Sequence, residues 1–407
     1  MRRLFNLAFF SQYPRDAYML MLASFINSTG SSLMFPLITL YVHNNLHRTY
    51  GEAGFVIFCQ SLAGIVGQLV GGSIYHKLGV KKLLIGALLL QCLGQFGLIF
   101  ATDWFAYIMV MTLNGFLMSI TMPTISAFIG FRFPNQQYRL FNVIYVSNNA
   151  GVALGTALAG LLATISYNLT FLLNGISTLV FAGFFFFYLR RIDITNGQES
   201  SIGALSVHPQ KGMLELLRAY PLYLFIALGS MLLWFSTSVW GSGVAPYLNA
   251  RGMSLSRYSF LWTVNGLMII FGQQITARLN RTITRSLPTR LVASAMFYAI
   301  AFFFLMFFHL AYYNFIIVML VATLGEMLVS PTIPAIVTKT TGHFAPFYLG
   351  LIGGFGSLGR LIGPVLFGTM FDFYGISPIL FVTVATASLA AVSFYLHKKI
   401  SQSLVME

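Results

Sequence analysis

Carboxylates are nearly missing from this sequence. Asp and Glu number nine against 23 Lys and Arg in 407 residues, and the charged types together make up 8% of the chain. Soluble domains carry about a quarter, so the composition excludes a soluble globular protein. Cysteine is scarce too. Cys59 and Cys92 both lie in apolar runs without partner spacing and read as small core residues rather than a disulfide or a metal site. No phosphate-binding loop, metal-ligand cluster or nucleophile–base arrangement occurs, and the seven histidines fall in loops, tails or the ends of apolar runs. No enzyme activity, metal or cofactor is therefore expected, and an ATP-driven pump has no room for its nucleotide domains. The first apolar stretch, about four residues, is too short for a signal-peptide core.

What the chain has is hydrophobic length. Hydrophobic residues make up 57% of it, with 40 Phe and 20 Tyr, and the mean hydropathy is +0.80. Runs near the roughly 20 residues that cross a bilayer fall at 18–42, 52–75, 83–101, 104–130, 140–165 and 168–189. Six more follow at 221–247, 258–279, 290–308, 314–337, 345–371 and 376–397. No strand-like alternation appears, so twelve transmembrane helices are expected.

The net charge of +14 would suggest nucleic acid in a soluble chain, but the basic residues cluster in short loops. Counted with the N-terminus inside, nineteen Lys and Arg lie on the cytoplasmic side, including Lys77, Lys81, Lys82 and Arg190. Only Arg48, Arg251 and Arg257 lie outside, and Arg360 falls within a run. This positive-inside bias puts both termini in the cytoplasm. The charge thus serves topology, and no nucleic-acid partner is expected.

The two sets of six runs also match each other. "TLNGFLMSITMPTI" from Thr112 aligns with "TLGEMLVSPTIPAI" from Thr323, sharing Thr, Leu, Ser, Thr and Pro in register. "GVALGTALAG" from Gly151 aligns with "GRLIGPVLFG" from Gly359, with glycines at three equal positions. The expected architecture is an all-α membrane protein of two pseudo-symmetric six-helix bundles, 1–190 and 220–407, joined by a cytoplasmic linker at 191–219. Such repeats are a transporter architecture, with the substrate near the midplane between them.

At this point the chain resembles the major facilitator superfamily along essentially its whole length. The loop after the second run, "GGSIYHKLGVKK", is similar to that family's conformational-switch loop at Gly72, Lys77, Gly79, Lys81 and Lys82. His76 stands where the family usually has Asp, which removes a charge-based latch or makes it pH-dependent. Within the family, the twelve-helix drug/proton antiporter branch looks nearest. Its glycine-spaced fifth helix persists at Gly151, Gly155 and Gly160, with Thr156 in place of a proline. Met111 stands where that branch carries Arg, so no proton relay can run through that position. The stretch "TLGE…SPT" resembles a carboxylate-bearing segment of some multidrug antiporters, in which the acid serves proton coupling or cation recognition.

Of the nine acids, Glu326 alone lies near mid-membrane. An unpaired buried carboxylate costs several kcal/mol, so it either takes a proton or finds a partner. Arg360, the one basic residue inside a run, is roughly 16 Å from the outer end of its helix, while Glu326 is roughly 18 Å from the outer end of the preceding one. Glu326 and Arg360 are thus the candidates for proton coupling or cation binding. A static pair holding the two helices is the alternative for both, and carbonyls opened near Pro364 could also hold Arg360.

The resemblance implies that helices 1, 4, 7 and 10 line a central cavity. That nominates Asn27, Ser31 and Phe35, then Asn114 and Met118, then Trp234, Ser238 and Trp240. Tyr145, Asn148 and Asn149 form an unusually polar cluster in the fifth helix. Aromatic walls with scattered neutral polar groups suit lipophilic or cationic ligands. The expected function is proton-coupled efflux of such molecules by alternating access, with small-molecule substrate, protons and the lipid bilayer as partners. A monomer in a cell membrane, the bacterial inner membrane, is expected. A carrier for a sugar, peptide, lipid or metabolite stays open, as does a non-transporting membrane sensor of the same fold.

Overall fold

A backbone surrounded by hydrocarbon must satisfy its own N–H and C=O groups, so long apolar runs fold as helices. The computed structural model describes residues 15–34, 38–48, 50–163, 165–196, 215–217, 221–253 and 255–406, and every regular element among them is helical. The first six helices are α1 (Arg15–Met34), α2 (Ile38–Asn44), α3 (Tyr50–Gly97), α4 (Trp104–Arg132), α5 (Gln137–Ala163) and α6 (Tyr167–Asn196). Then come α7 (Leu222–Thr237), a π-helical turn (Trp240–Val244), α8 (Ala245–Ala250), α9 (Leu255–Phe271) and α10 (Gln273–Thr282). The chain continues through α11 (Leu287–Phe308), α12 (Tyr312–Thr341), a 3-10 turn (Gly342–Phe344), α13 (Ala345–Tyr374) and α14 (Ile376–Met406).

Among the described residues, seven stretches are long and apolar enough to cross a membrane, the longest being Glu52–Gly97 (46 residues) and Tyr312–Tyr374 (63 residues). A glycine turn interrupts each. Gly79, at φ 73° and ψ 155°, breaks α3, and Gly342, at φ 49°, ends α12. Both are conformations that a Cβ disfavours. Around these helices large apolar side chains such as Leu93, Phe105, Phe187, Val365 and Phe381 stand exposed, as expected where hydrocarbon is the solvent.

Helix limits differ from the apolar runs where polar residues prolong a helix. The sixth helix passes the expected boundary at 190 and ends at Asn196, and α14 passes 397 and reaches Met406. Residues 197–214 of the expected linker lie outside the described residues. Near its end, the Leu216 carbonyl accepts a hydrogen bond from Tyr348 on α13 at 2.6 Å. The run 221–247 is not one straight helix, because the π turn spans "WGSGV", where Gly241 and Gly243 weaken the regular ladder.

The helices pack in two corresponding sets. Among 15–196, α1 packs on α5 and α6, and α3 on α4 and α6; among 222–406, α7 packs on α13 and α14, and α11 on α12 and α14. The repeated glycines do the same work in both sets. A Cβ at Gly151 or Gly155 would fall 2.6 or 2.2 Å from the Phe25 or Thr29 carbonyl of α1. A Cβ at Gly359 would fall 2.1 Å from the Met231 carbonyl of α7, and one at Gly363 would fall 2.3 Å from the Ser238 hydroxyl. The α1–α5 and α7–α13 pairs touch this closely only because those side chains are missing.

Across the two sets, α3 packs on α13, α5 on α12 and α9, and α4 on α12 and α13. The tightest approach is at the end carrying the Gly79 and Gly342 turns. There a Cβ at Gly72 would lie 2.4 Å from the Pro346 carbonyl, and one at Gly350 would lie 2.3 Å from the Gln68 carbonyl. At the opposite end, hydrogen bonds such as Asn44–Tyr167 and Arg251–Leu310 stay within one half.

Candidate functional site

Glu326 lines a cavity of about 120 Å³ together with Trp234, Thr237, Trp240, Trp262, Asn265, Tyr298, Met319, Ala322 and Thr323. All of these belong to the C-terminal half. Three of the chain's four tryptophans thus line the same cavity as its mid-helix carboxylate. In the N-terminal half the repeat position is Gly115, where a Cβ would lie 2.3 Å from the Gln60 carbonyl, so α4 meets the backbone of α3. In the C-terminal half the side chain of Glu326 reaches instead to α9, and the cavity opens beside it.

Both carboxylate oxygens accept hydrogen bonds. Oε1 accepts from the Tyr145 hydroxyl at 2.9 Å, and Oε2 from Asn265 Nδ2 at 3.1 Å. Asn265 Nδ2 also donates to Thr323 Oγ1 at 2.9 Å, and Thr323 donates to the Met319 carbonyl at 2.7 Å. Asn265 and Thr323 share the half of Glu326, whereas Tyr145 stands on α5 of the other half. Without such donors a carboxylate in this setting would be costly to keep charged.

Arg360 does not form an ion pair with Glu326 among the described residues. Its guanidinium carbon lies 4.0 Å from the centre of the Trp234 ring, although its charge still acts on Glu326. It is exposed, on the side of α13 away from Ile362 and Val365, which face outward at 45% and 67% exposure. An arginine stacked on an indole keeps its N–H groups free for another partner.

Three more residues of α5 face the opposite half or its own. Asn280 donates to the Tyr138 hydroxyl at 3.1 Å, and Asn142 to Gln273 Oε1 at 2.8 Å. Asn148 accepts from Ser28 on α1 at 3.0 Å. Farther toward the closed end, Gln68 donates to Ser357 at 2.7 Å. His76 Nε2 donates to the His343 carbonyl, and the two imidazole rings stack with centroids 3.7 Å apart. Lys77 and Lys82 are exposed beyond them, and Lys81 is half-buried.

Of the nominated cavity residues, the structure brings Trp234 and Trp240 to the cavity wall and Tyr145 to Glu326. Met118 is exposed on the face of α4 opposite Met109 and Leu113. Others are engaged in packing. Asn114 is buried against Gly94 and donates to its own helix at Val110. Asn149 donates to the Tyr145 carbonyl, Ser31 to the Ser28 carbonyl, and Ser238 faces Gly363. Asn27 is half-buried, and Phe35 lies outside the described residues. Sequence reasoning missed the other seven wall residues, Thr237, Trp262, Asn265, Tyr298, Met319, Ala322 and Thr323. An amide amid the apolar run at 258–279 was the available signal for Asn265. Among the described residues, no group of three or more His, Cys, Asp or Glu is placed to hold a metal.

A family model described as "Major Facilitator Superfamily" matches residues 20–364. The chain is 32% identical over 384 residues to the "uncharacterized MFS-type transporter YttB" of Bacillus subtilis, covering 92% of this chain and 95% of that one. It is 22% identical over 370 residues to the "quinolone resistance protein NorA" of Staphylococcus aureus, covering 90% and 92%. Among solved structures it is similar to an outward-facing bacterial homologue of the iron transporter ferroportin. That match has a TM-score of 0.76 at 14% identity, covering 95% of this chain and all of the other.

Proposed function

The chain belongs to the Major Facilitator Superfamily and is a multi-pass membrane transporter rather than an enzyme, and we propose that it exports lipophilic or cationic small molecules in exchange for protons. The observation that carries this reading is the cavity whose wall Glu326 shares with three tryptophans and Tyr298. Indole faces attract organic cations and tolerate varied apolar shapes. A carboxylate in the wall of such a cavity serves a proton or a cationic ligand, one at a time, and that competition is the basis of antiport. The name of the staphylococcal relative, a quinolone resistance protein, agrees with a drug-like substrate.

The transport cycle proposed is alternating access by two six-helix bundles, 1–190 and 220–407, joined by the linker 191–219. Support comes from the matching helix pairs of the two halves and from the loop charges, which favour twelve spans with both termini in the cytoplasm of a bacterial cell. In that topology the closed end with His76 and His343 is cytoplasmic, and the conformation is outward-facing.

One observation favours a second reading. Arg360 is exposed on the side of α13 opposite Ile362 and Val365 and makes no hydrogen bond among the described residues, which suits a metabolite bearing an anionic group. Purified protein in liposomes with an imposed pH gradient separates the two, using cationic dyes, organic anions and neutral sugars. Proton-driven movement of the dyes alone is expected. Movement of anions or sugars without dyes would replace the export reading with the metabolite carrier.

A further inference from the structure

Three polar side chains of α5, Tyr138, Asn142 and Tyr145, are spaced by four and three residues and therefore share one face. Each is hydrogen-bonded to the C-terminal half: Tyr138 to Asn280, Asn142 to Gln273, and Tyr145 to Glu326. Two of these contacts join neutral groups and do not change on titration. The third ends on a carboxylate.

We propose that Tyr145 is the positioning residue through which the charge on Glu326 governs closure of the two halves. This rests on the reading of Glu326 as the proton site. When Glu326 is charged, both of its oxygens accept, one from its own half and one from across the interface. A hydrogen bond to a charged acceptor is roughly twice as strong as one between neutral groups. Protonation removes the charge and turns one oxygen into a donor, so the Tyr145 contact drops to the class of its two neighbours. Closure at this end therefore favours the charged acid, and protonation favours separation.

The other titratable groups near Glu326 do not supply this link. Arg360 on α13 acts on it electrostatically and Tyr298 on α11 feels its charge, but both belong to its own half. The remaining wall residues, Trp234, Trp240, Trp262, Asn265 and Thr323, do not titrate. Ser330, which also faces the Tyr145 hydroxyl, is neutral. Among these groups only Tyr145 both touches the carboxylate and moves with the opposite half. In an antiporter, a proton arriving from the open side would thus loosen the closed side.

The test is a distance measurement across the closed end in lipid, by spin labels at Leu78→Cys and Lys339→Cys with Cys59 and Cys92 replaced by Ser. In the parent protein the closed-to-open ratio should fall as pH is lowered. Asn142→Ala should lower the ratio about fivefold at every pH, the effect of one neutral hydrogen bond, and leave its pH dependence intact. Tyr145→Phe keeps the ring and should flatten the pH dependence to within about twofold. A uniform drop with intact pH dependence in Tyr145→Phe, when Glu326→Gln abolishes that dependence, overturns the proposal alone. A parent ratio that ignores pH overturns the reading of Glu326 as the proton site, and the proposal with it.

Discussion

The guanidinium of Arg360 lies over the ring of Trp234 at 4.0 Å, beside the cavity that Glu326 lines but not in contact with its carboxylate. The close α7–α13 contact at Gly359 and Gly363 holds the two side chains together. In this position the arginine supplies charge to the cavity without the paired, in-plane hydrogen bonds that distinguish it from lysine.

That arrangement sets an expectation for two substitutions. Arg360→Lys keeps the charge and should retain at least about half of proton-driven transport, whereas Arg360→Leu should lose about tenfold or more, since about 1.4 kcal/mol is a tenfold change. Initial rates in liposomes, normalised to inserted protein, check it. Equal loss in both variants would mean that the fork itself binds something.

Trp262 offers the cleanest probe of the cavity wall. It is 47% exposed, whereas Trp240 is 3% exposed and part of the core. Trp262→Ala should weaken binding of a cationic dye by about 5- to 30-fold, as expected for loss of one partly desolvated cation–π contact, with little change in thermal stability. Fluorescence titration of the purified protein measures the first, and a melting curve the second.

The glycines at the closed end make a prediction about conformation. A methyl group at Gly350 would meet the Gln68 backbone and one at Gly72 the Pro346 backbone, neither of which can rotate away. Overpacking costs about 1–3 kcal/mol, here only in the closed state. Gly72→Ala and Gly350→Ala should therefore each shift the population toward opening at this end by about 5- to 100-fold. Faster thiol labelling of a cysteine placed at Ser357 would register the shift.

Much of this was legible in the sequence, for identifiable reasons. Glycine pairs such as Gly151 with Gly359 are visible because close helix contact tolerates no substitute, and the structure gives both the same task. Glu326 stood out because an acid is rare in an apolar helix. Its partners did not. Depth along a helix follows from residue count, but rotation about the helix axis does not, so Arg360 at a similar depth turned to Trp234 while Tyr145 turned to Glu326. On α5 the polarity of the sequence groups Tyr145 with Asn148 and Asn149, whereas the structure groups it with Tyr138 and Asn142. The acceptors Gln273 and Glu326 lie more than a hundred residues away, and nothing in the spacing points to them. Asn114 reads as a cavity residue for its polarity, yet an amide buried within a helix pair satisfies the same chemistry. His76 departs from the loop pattern visibly, but its stacking on His343 depends on the Gly342 turn, which no spacing in the sequence ties to it.

Glu326→Gln tests the central claim most directly. The substitution keeps the shape of the side chain and removes its exchangeable charge. In liposomes loaded with a cationic dye, the variant should lose uphill transport driven by a pH gradient, down to the level of empty vesicles, while exchange of labelled for unlabelled dye continues. Undiminished pH-driven accumulation by the Glu326→Gln protein would contradict the account.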